Sequence, residues 1–410
     1  MAYIKGSFTL THDSTDKDNK LITDLSPLDS NAQRSDTNVE EARTPYKTKN
    51  RKLVQQRKPR AGLQSTSVHD FYDTDLESDD DRQKTPNKNF KARYISSCKK
   101  YDAQPVSSFI AVIESQSRSV NISDAALKPV DIQVLAPYLG LNKIIKLNLS
   151  GNRFGCIGAV YLSDFIRESS SINDLDLSYN DIGLTGCEAL CNALRSCKTI
   201  ENLILDGNSF DDKCSSVLAD LISSNQSLIY LSLSKNFFES VATAKSFSSA
   251  LAINQSLDNF DISFNHFQSK ATAALIEFLA KNYKLTSLNL SHSSFGLEAS
   301  KAFFLAMKNK QTQLEELDLS SNLIDDECAK YFAQVLSINE SLKKLILIQN
   351  PLSVQGCIKL LKPLKMMPTS QLEIIDIRSM YVKNEVFIEL ANDLENRFEK
   401  LVIRRGEKVE

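Results

Sequence analysis

Residues 172–194 read INDLDLSYNDIGLTGCEALCNAL, and this stretch decides the fold. It begins with the order L-x-x-L-x-L-x-x-N, in which Ile takes the first Leu position. Leu175 and Leu177 alternate with polar residues, which is typical of a strand with one buried face. Leu190 and Leu194 are four residues apart, which indicates a helix with one buried side. The stretch therefore predicts a short strand, a turn at its Asn and a helix.

The same order recurs from residue 144 onward, and we use the residue at its final Asn position, the anchor, to align the copies. The anchors are Asn152, Asn180, Asn208, Asn236, Asn265, Ser293, Asn322, Asn350 and Met380. Their spacings are 28, 28, 28, 29, 28, 29, 28 and 30 residues. A period this regular predicts an array of structural units in which each unit packs against its neighbours.

Residues at fixed distances from the anchor share a chemical character. The residue two positions after each anchor is apolar, and the residue six positions after it is small in the first eight copies. Strands pair at about 4.8 Å, whereas helices pack at about 8 to 10 Å, so the array must curve with its strands inside. The sequence thus predicts an α/β solenoid, or horseshoe, with parallel strands on the concave face and helices on the convex face.

Two sets of asparagines are expected to serve the backbone. The amide of an anchor Asn has two donors and an acceptor, so buried anchors can form a hydrogen-bonded ladder that Ser293 and Met380 interrupt. Asn225, Asn254, Asn282 and Asn339 each lie three residues before the next strand pattern. Because Asn tolerates the left-handed conformation, we expect these four to close the helices in that conformation.

The chain divides into unlike regions. Residues 1–91 are polar and are expected to form a disordered charged tail, since such a segment buries too little apolar surface to fold. Residues 92–118 predict a helical N-terminal cap, residues 119–405 the repeat domain of about nine to ten units, and residues 406–410 a short tail. The tail holds a basic block at 43–60, interpreted either as a nuclear-import or anionic-surface patch or as a solvated charge run.

Composition and motifs exclude several functions. The formal net charge is −2, so nucleic acid and anionic membranes are not expected as partners. No secretory signal or long apolar stretch occurs, so we expect an intracellular, cytoplasmic, monomeric protein, with the nucleus as an alternative location. Phosphate-loop, nucleophile and zinc motifs are missing, and His12, His69, His266 and His292 have no ligand spacing. We therefore expect no enzyme activity, no cofactor and no metal.

The strand residues that alternate outward predict a partner-binding surface on the concave face. The expected contact residues are Asn148, Asp174, Asp176, Asp206, Tyr230, Ser232, Asp261, Asn289, Glu316, Asp318, Lys344 and Arg378. This set is acidic in the middle and basic toward its C-terminal end, which favours a protein partner with a basic surface. The alternative is that Asp and Ser follow the repeat consensus LDLS and contribute little specificity.

The pattern LxxLxLxxN, followed by an apolar residue, a small residue and LxxxL, resembles ribonuclease-inhibitor-like leucine-rich repeats over residues 119–405. The preceding RYISSCKKYDAQPVSSFIAVIES at 93–115 resembles the leucine-rich repeat-containing protein 74 family. These resemblances imply no catalytic residue. A large preformed solenoid surface without reactive motifs favours a non-enzymatic protein–protein interaction scaffold that uses the concave face. The resemblances leave two alternatives: a GTPase-activating regulator similar to the Ran GTPase-activating proteins, with Arg153 as the residue to test, and an inhibitor similar to ribonuclease inhibitor.

Overall fold

A computed structural model describes residues 86–141, 143–308, 311–381 and 384–406. Residues 1–85, which hold most of the predicted tail and its basic block, lie outside the described residues, as do residues 407–410. Within the described residues, two helices come first, and strands and α-helices then alternate along the chain.

The helices are α1 (Pro86–Tyr101), α2 (Ser107–Ser115), α3 (Pro129–Leu141), α4 (Gly155–Glu168), α5 (Gly183–Ser196), α6 (Ser215–Ser224), α7 (Val241–Ile253), α8 (Ser269–Ile276), α9 (Leu297–Met307), α10 (Asp326–Leu336), α11 (Val354–Leu361) and α12 (Glu385–Arg397). The strands are β1 (Ser119–Asn121), β2 (Lys146–Asn148), β3 (Asp174–Asp176), β4 (Asn202–Ile204), β5 (Tyr230–Ser232), β6 (Asn259–Asp261), β7 (Ser287–Asn289), β8 (Glu316–Asp318), β9 (Lys344–Ile346), β10 (Ile374–Tyr381) and β11 (Val402–Gly406).

The strands of the described residues form one parallel sheet, in which β1 to β11 follow one another in sequence order. Leu175 of β3 pairs with Leu147 of β2 on one side and with Leu203 of β4 on the other. These middle residues are buried against the helices, while their chain neighbours face the opposite side of the sheet. Because β1 and β11 do not pair, the sheet is open, and the predicted α/β solenoid with strands on the concave face is confirmed.

The core lies between the sheet and the helices. Phe238 and Phe267, each two positions after an anchor, are fully buried and stack with ring centroids 6.5 Å apart. Gly186 lies where α5 packs on α4: a Cβ at this position would be 2.5 Å from Ile182 Cγ2 and 2.9 Å from Ala159 Cβ. The small residue six positions after the anchor therefore sets the close approach of neighbouring helices.

The N-terminal cap begins earlier than its predicted start at residue 92. Helix α1 starts at Pro86, and Phe90 makes an edge contact with Tyr138 of α3 at 5.3 Å between ring centroids. Tyr94 makes a similar contact with Phe109 of α2 at 5.1 Å. The contact of Phe90 joins a residue of the predicted tail to helix α3, whereas Tyr94 and Phe109 both lie within the predicted cap.

The anchor asparagines connect each repeat to the one before it. Asn180 Oδ1 accepts a hydrogen bond from the Asn152 N–H at 3.0 Å, and its Nδ2 donates to the carbonyls of Leu149 and Leu177, each at 3.0 Å. The buried anchors are Asn152, Asn180, Asn208, Asn236, Asn265, Asn322 and Asn350. At Ser293 the side chain instead donates within its own repeat, to Ser291 O at 3.3 Å.

A second asparagine ladder lies where the helices end, and here the expected left-handed conformation is wrong. Asn225 has φ −79° and ψ 128°, and Asn254 has φ −69° and ψ 133°, so both are extended. Asn254 Nδ2 donates to Ile222 O at 2.6 Å, and its Oδ1 accepts from the N–H groups of Ser256 and Leu257 at 2.9 and 2.7 Å. These residues close the helices with their side chains. Oδ1 of Asn282 and Asn339 makes the same pair of bonds.

Candidate partner-binding surface

The predicted contact residues form rows across the concave face because the strands pair in register. The third residue of each strand from β2 to β10 makes the central row: Asn148, Asp176, Ile204, Ser232, Asp261, Asn289, Asp318, Ile346 and Asp376. The first residue of each strand makes a second row that includes Asp174, Tyr230, Glu316 and Lys344. Asp206 follows β4 by two residues, and Arg378 lies within β10.

Most of these side chains are half-buried, Arg378 is exposed, and Ser232 and Asp376 are buried. Ser232 is only 1% exposed: its strand pairs with β4 on one side and β6 on the other, and its hydroxyl donates to Asp206 Oδ1. We expected Ser232 to contact a partner. The structure instead gives it an internal role: it holds the Asp206 carboxylate.

Part of the acidic character of the central row is structural. Asp176 Oδ1 accepts from the Ser178 N–H at 2.9 Å, and Asp261 Oδ1 accepts from the Ser263 N–H at 2.9 Å. Asn148, Asn289 and Asp318 make the same bond to the residue two positions later. These Asx turns end the strands, so one oxygen of each LDLS aspartate is used by the backbone. Asn289 Nδ2 also donates to Asp261 Oδ2 at 2.8 Å, so both oxygens of that carboxylate accept hydrogen bonds within the fold. These bonds support the alternative interpretation, in which the consensus Asp residues serve the fold.

Three carboxylates in the middle of this face, those of Asp176, Asp206 and Asp261, have no ion-pair partner among the described residues, and neither has Asp318 farther along the central row. We call Asp176, Asp206 and Asp261 the acidic cluster. Among the described residues, no Lys, Arg or His nitrogen lies within 4.0 Å of their oxygens. Asp174, by contrast, pairs with Lys146 at 2.7 Å. The acidic cluster therefore keeps its negative charge available to an external cation.

Burial raises the pKa of Asp206 to about 6, together with the carboxylates of Asp261 and Asp176 and against hydrogen bonds from Ser232 and Ser234 that lower it. Burial and the Asp261 carboxylate also raise the pKa of Tyr230. The acidic cluster is thus partly removed from water, and its charges repel one another.

The basic residues toward the C-terminal end are occupied by local carboxylates. Lys344 pairs with Glu316, and Arg378 pairs with the buried Asp376 at 2.9 Å. Arg404 adds a further contact to Asp376 at 3.7 Å. These cations are used within the fold, so the uncompensated charge of the concave face lies in its middle.

Our sequence reasoning missed a row of residues at the edge of the sheet. The residue before each anchor has a positive φ in eight successive repeats: Gly151, Tyr179, Gly207, Lys235, Phe264, His292, Ser321 and Gln349. We call Tyr179, Lys235, Phe264 and His292 the edge row. An alignment of the repeats at their anchors could have revealed the edge row. Two repeats have glycine at this position, which indicates a left-handed backbone, and the repeats of the edge row place large side chains there.

Side chains of the edge row contact one another across repeats. Lys235 Nζ donates to the Tyr179 hydroxyl at 2.7 Å and lies 5.7 Å from the centre of the Phe264 ring. The Phe264 and His292 rings stack at 3.9 Å between centroids. Next to this row, Phe237 makes an edge contact with His266 at 5.4 Å. The side chains form an ordered aromatic surface with a lysine in its middle.

Other candidate sites received little support. Among the described residues, no group of three or more His, Cys, Asp or Glu side chains is arranged to hold a metal. Arg153 is exposed beside its anchor with a left-handed φ of 55°. No helix in the described parts of the chain combines the length and apolar character needed to span a membrane.

Comparison with known proteins identifies the repeat. Residues 168–191 and 310–333 match the model of a family described as Leucine Rich repeat. A search of curated protein sequences found no match. Among solved structures, the chain is similar to the tropomodulin C-terminal domain of Caenorhabditis elegans, with 19% identity, a TM-score of 0.30 and coverage of 36% of this chain and 89% of that chain. It is also similar to the actin-binding site 2 of leiomodin-1, with 18% identity, a TM-score of 0.25 and coverage of 30% and 72%.

Proposed function

We propose that this leucine-rich-repeat protein is a non-enzymatic interaction scaffold that binds a basic protein partner on its concave face. The observation that carries the proposal is the acidic cluster of Asp176, Asp206 and Asp261, which makes no ion pair within 4.0 Å among the described residues. A preformed sheet surface offers a partner contact area without a cost for ordering the backbone. The motifs in the sequence supply no reactive group.

The chemistry of the acidic cluster explains why a cation would bind there. Burial already disfavours the charged form of Asp206, as its raised pKa of about 6 shows. A lysine or arginine beside these carboxylates would relieve their mutual repulsion and supply charge-assisted hydrogen bonds. Partner binding should therefore weaken as salt rises and as the pH falls through about 6.

We further propose that the repeats belong to the ribonuclease-inhibitor-like subclass. Spacings of 28 and 29 residues and a helix in each repeat support this assignment. The segment at 93–115, which forms most of α1 and α2, supports relationship to the leucine-rich repeat-containing protein 74 family.

The proposal is tested with two triple variants that remove the same charge. Asp176→Asn, Asp206→Asn and Asp261→Asn keep the side-chain volumes and an acceptor oxygen for the Asx turns. The matched control is Glu188→Gln, Glu298→Gln and Glu389→Gln, which changes three exposed carboxylates on helices. Full-length chains are immobilised in cell lysate, and the retained proteins are quantified by mass spectrometry.

We expect proteins retained by the wild type and by the control triple to be lost about tenfold or more from the Asn triple, since two or three charge contacts correspond to that change. Equal retention by all three chains would overturn the proposal. Equal loss from both triples would show that net charge alone, and not the concave face, governs retention.

A further inference from the structure

The edge row occupies backbone positions where glycine would be more stable. Tyr179, Lys235, Phe264 and His292 have φ values of 55°, 55°, 52° and 53°, whereas the fold places Gly207 at the equivalent position with φ 59°. A left-handed conformation costs an L-residue roughly 1 kcal/mol relative to glycine. Backbone stability therefore does not explain these side chains, and strained residues of this kind are concentrated at binding sites.

Gly207 lies between Tyr179 and Lys235 in the row, and its missing side chain leaves space for the Tyr179 ring. A Cβ at Gly207 would lie 2.6 Å from Tyr179 Cδ1, so only glycine lets the Tyr179 ring lie across this repeat and reach Lys235 in the next one. Residues 56 positions apart thereby share a hydrogen bond at the surface. The row is held in place before any partner arrives.

The row leaves apolar surface in contact with water. Tyr179 is 44% exposed, Phe264 is 42% exposed and the adjacent Phe237 is 49% exposed. Rigid aromatic side chains that are exposed and in mutual contact are typical of the anchor points of protein interfaces. An apolar side chain of a partner would complete the burial of these rings.

The edge row borders the acidic cluster. Phe264 follows Asp261 by three residues, which limits their backbone separation to about 10 Å. The Lys235 ammonium is close enough to this cluster for an electrostatic effect: the hydrogen bond to Tyr179 raises its pKa most, and Asp206 and Asp261 add to that rise. One bound segment can therefore reach the carboxylates and the rings together.

We propose that the edge row and the acidic cluster form one site for a segment of another protein that presents a basic side chain within three residues of an aromatic side chain. The basic group pairs with Asp206 and Asp261, and the aromatic group packs on Phe264 and His292. This inference rests on the proposed function, since it names the chemistry of the partner at the same face.

The test uses random peptides displayed on phage, selected on the full-length chain, followed by affinity measurements on enriched peptides. The variant Phe264→Gly/His292→Gly removes two rings and relieves the backbone at both positions. Its matched control is Ser321→Gly/Gln349→Gly, which makes the same backbone change two repeats further along, where φ is 54° and 56°. Phe264→Asn is a second variant, because Asn also tolerates the left-handed conformation.

We expect enriched peptides to combine Arg or Lys with an aromatic residue at this spacing. Their affinity should fall about tenfold in Phe264→Gly/His292→Gly and in Phe264→Asn, and stay within about twofold in the control. Thermal unfolding should show the ring variants to be folded with a midpoint near that of the wild type. A lack of enrichment, or enrichment of acidic or purely apolar peptides, would overturn the inference.

Two further outcomes separate this inference from the proposed function. If peptide affinity falls in the Asp-to-Asn triple but not in the ring variants, the acidic site stands and the edge row has no part in it. If sedimentation shows self-association that the ring variants abolish, the row binds a second copy of this chain and the inference is wrong. If neither set of variants changes affinity, both proposals fail.

Discussion

Asn236 illustrates how one side chain can join two neighbouring repeats. Its Oδ1 accepts from the N–H groups of Asn208 and Phe210 at 3.0 and 3.1 Å, and its Nδ2 donates to the carbonyls of Leu205 and Leu233 at 3.2 and 3.0 Å. The side chain is 1% exposed, so water cannot replace it. A buried backbone group without a partner costs about 1 to 3 kcal/mol.

Asn236→Ala should therefore lower the free energy of unfolding by about 3 kcal/mol or more, since several buried groups lose their partner. Chemical denaturation of the full chain measures this change. The control is Asn192→Ala on the exposed side of α5, where we expect a change below about 0.5 kcal/mol. A loss at Asn236 no larger than that at Asn192 would contradict the assigned role of the ladder.

Asp206 predicts a pH-dependent stability. Its pKa is raised to about 6 by burial and by neighbouring carboxylates, so the folded state holds its proton more tightly than the unfolded chain does, where the pKa is about 4. Stability from this group is complete below about pH 4 and is lost as the pH rises toward about 6.

Asp206→Asn removes this charge and keeps an oxygen for the bonds from Ser232 and Ser234. Because the site is only partly buried, we expect a gain of about 1 kcal/mol at pH 7.5 that disappears near pH 4. Thermal unfolding across this pH range measures it. A pH-independent difference would show that the carboxylate is not the cause.

At the scale of the elements, the sequence predicted the strand and the helix of each repeat, but it did not predict the conformation of the turn that follows a helix. The strand pattern of Leu175 and Leu177 and the helix pattern of Leu190 and Leu194 are local, and local periodicity predicted both elements. The conformation of Asn225 could not be predicted in this way. Its side chain bonds to Leu194 O at 2.9 Å in the previous repeat, a contact 31 residues away in sequence.

The edge row was missed for a related reason. Side chains there are unlike one another, so no consensus marks the position, and the contact between Tyr179 and Lys235 skips a whole repeat. The ion pairs of the concave face could not be predicted from the sequence either. The sequence placed Lys344 and Arg378 at the basic end, but only the structure shows that they pair with Glu316 and Asp376.

Gly207→Ala tests the turn after β4 as a unit. Its new Cβ would meet the Tyr179 ring, whereas Gly183, with a similar φ of 60°, has nothing within 4 Å. Both alanine variants should lose about 1 kcal/mol from backbone strain, and Gly207→Ala should lose more. In a Tyr179→Gly chain the extra cost at Gly207 should disappear, while the cost at Gly183 stays the same. Equal costs in every background would rule out the steric contact.

For the described residues as a whole, stability and binding rest on the same arrangement. Each repeat buries its apolar face only against its neighbours, and both asparagine ladders run from one repeat to the next. The same register aligns Asp176 and Asp261 along the concave face and brings Tyr179 to Lys235 at its edge. The repeat period predicted this alignment. The side chain that each repeat places at an aligned position decides where a partner can bind.

The central claim is that the middle of the concave face is the contact surface, and site-specific photo-crosslinking in cells tests it most directly. A photoreactive amino acid replaces Ile204, half-buried in the central row between Asp176 and Ser232, or Leu305, exposed on helix α9. We predict a discrete crosslinked product from position 204 that is lost when Asp176, Asp206 and Asp261 are changed to Asn, and none from position 305. A product from position 305 alone, or one from 204 that survives the three substitutions, would contradict the account.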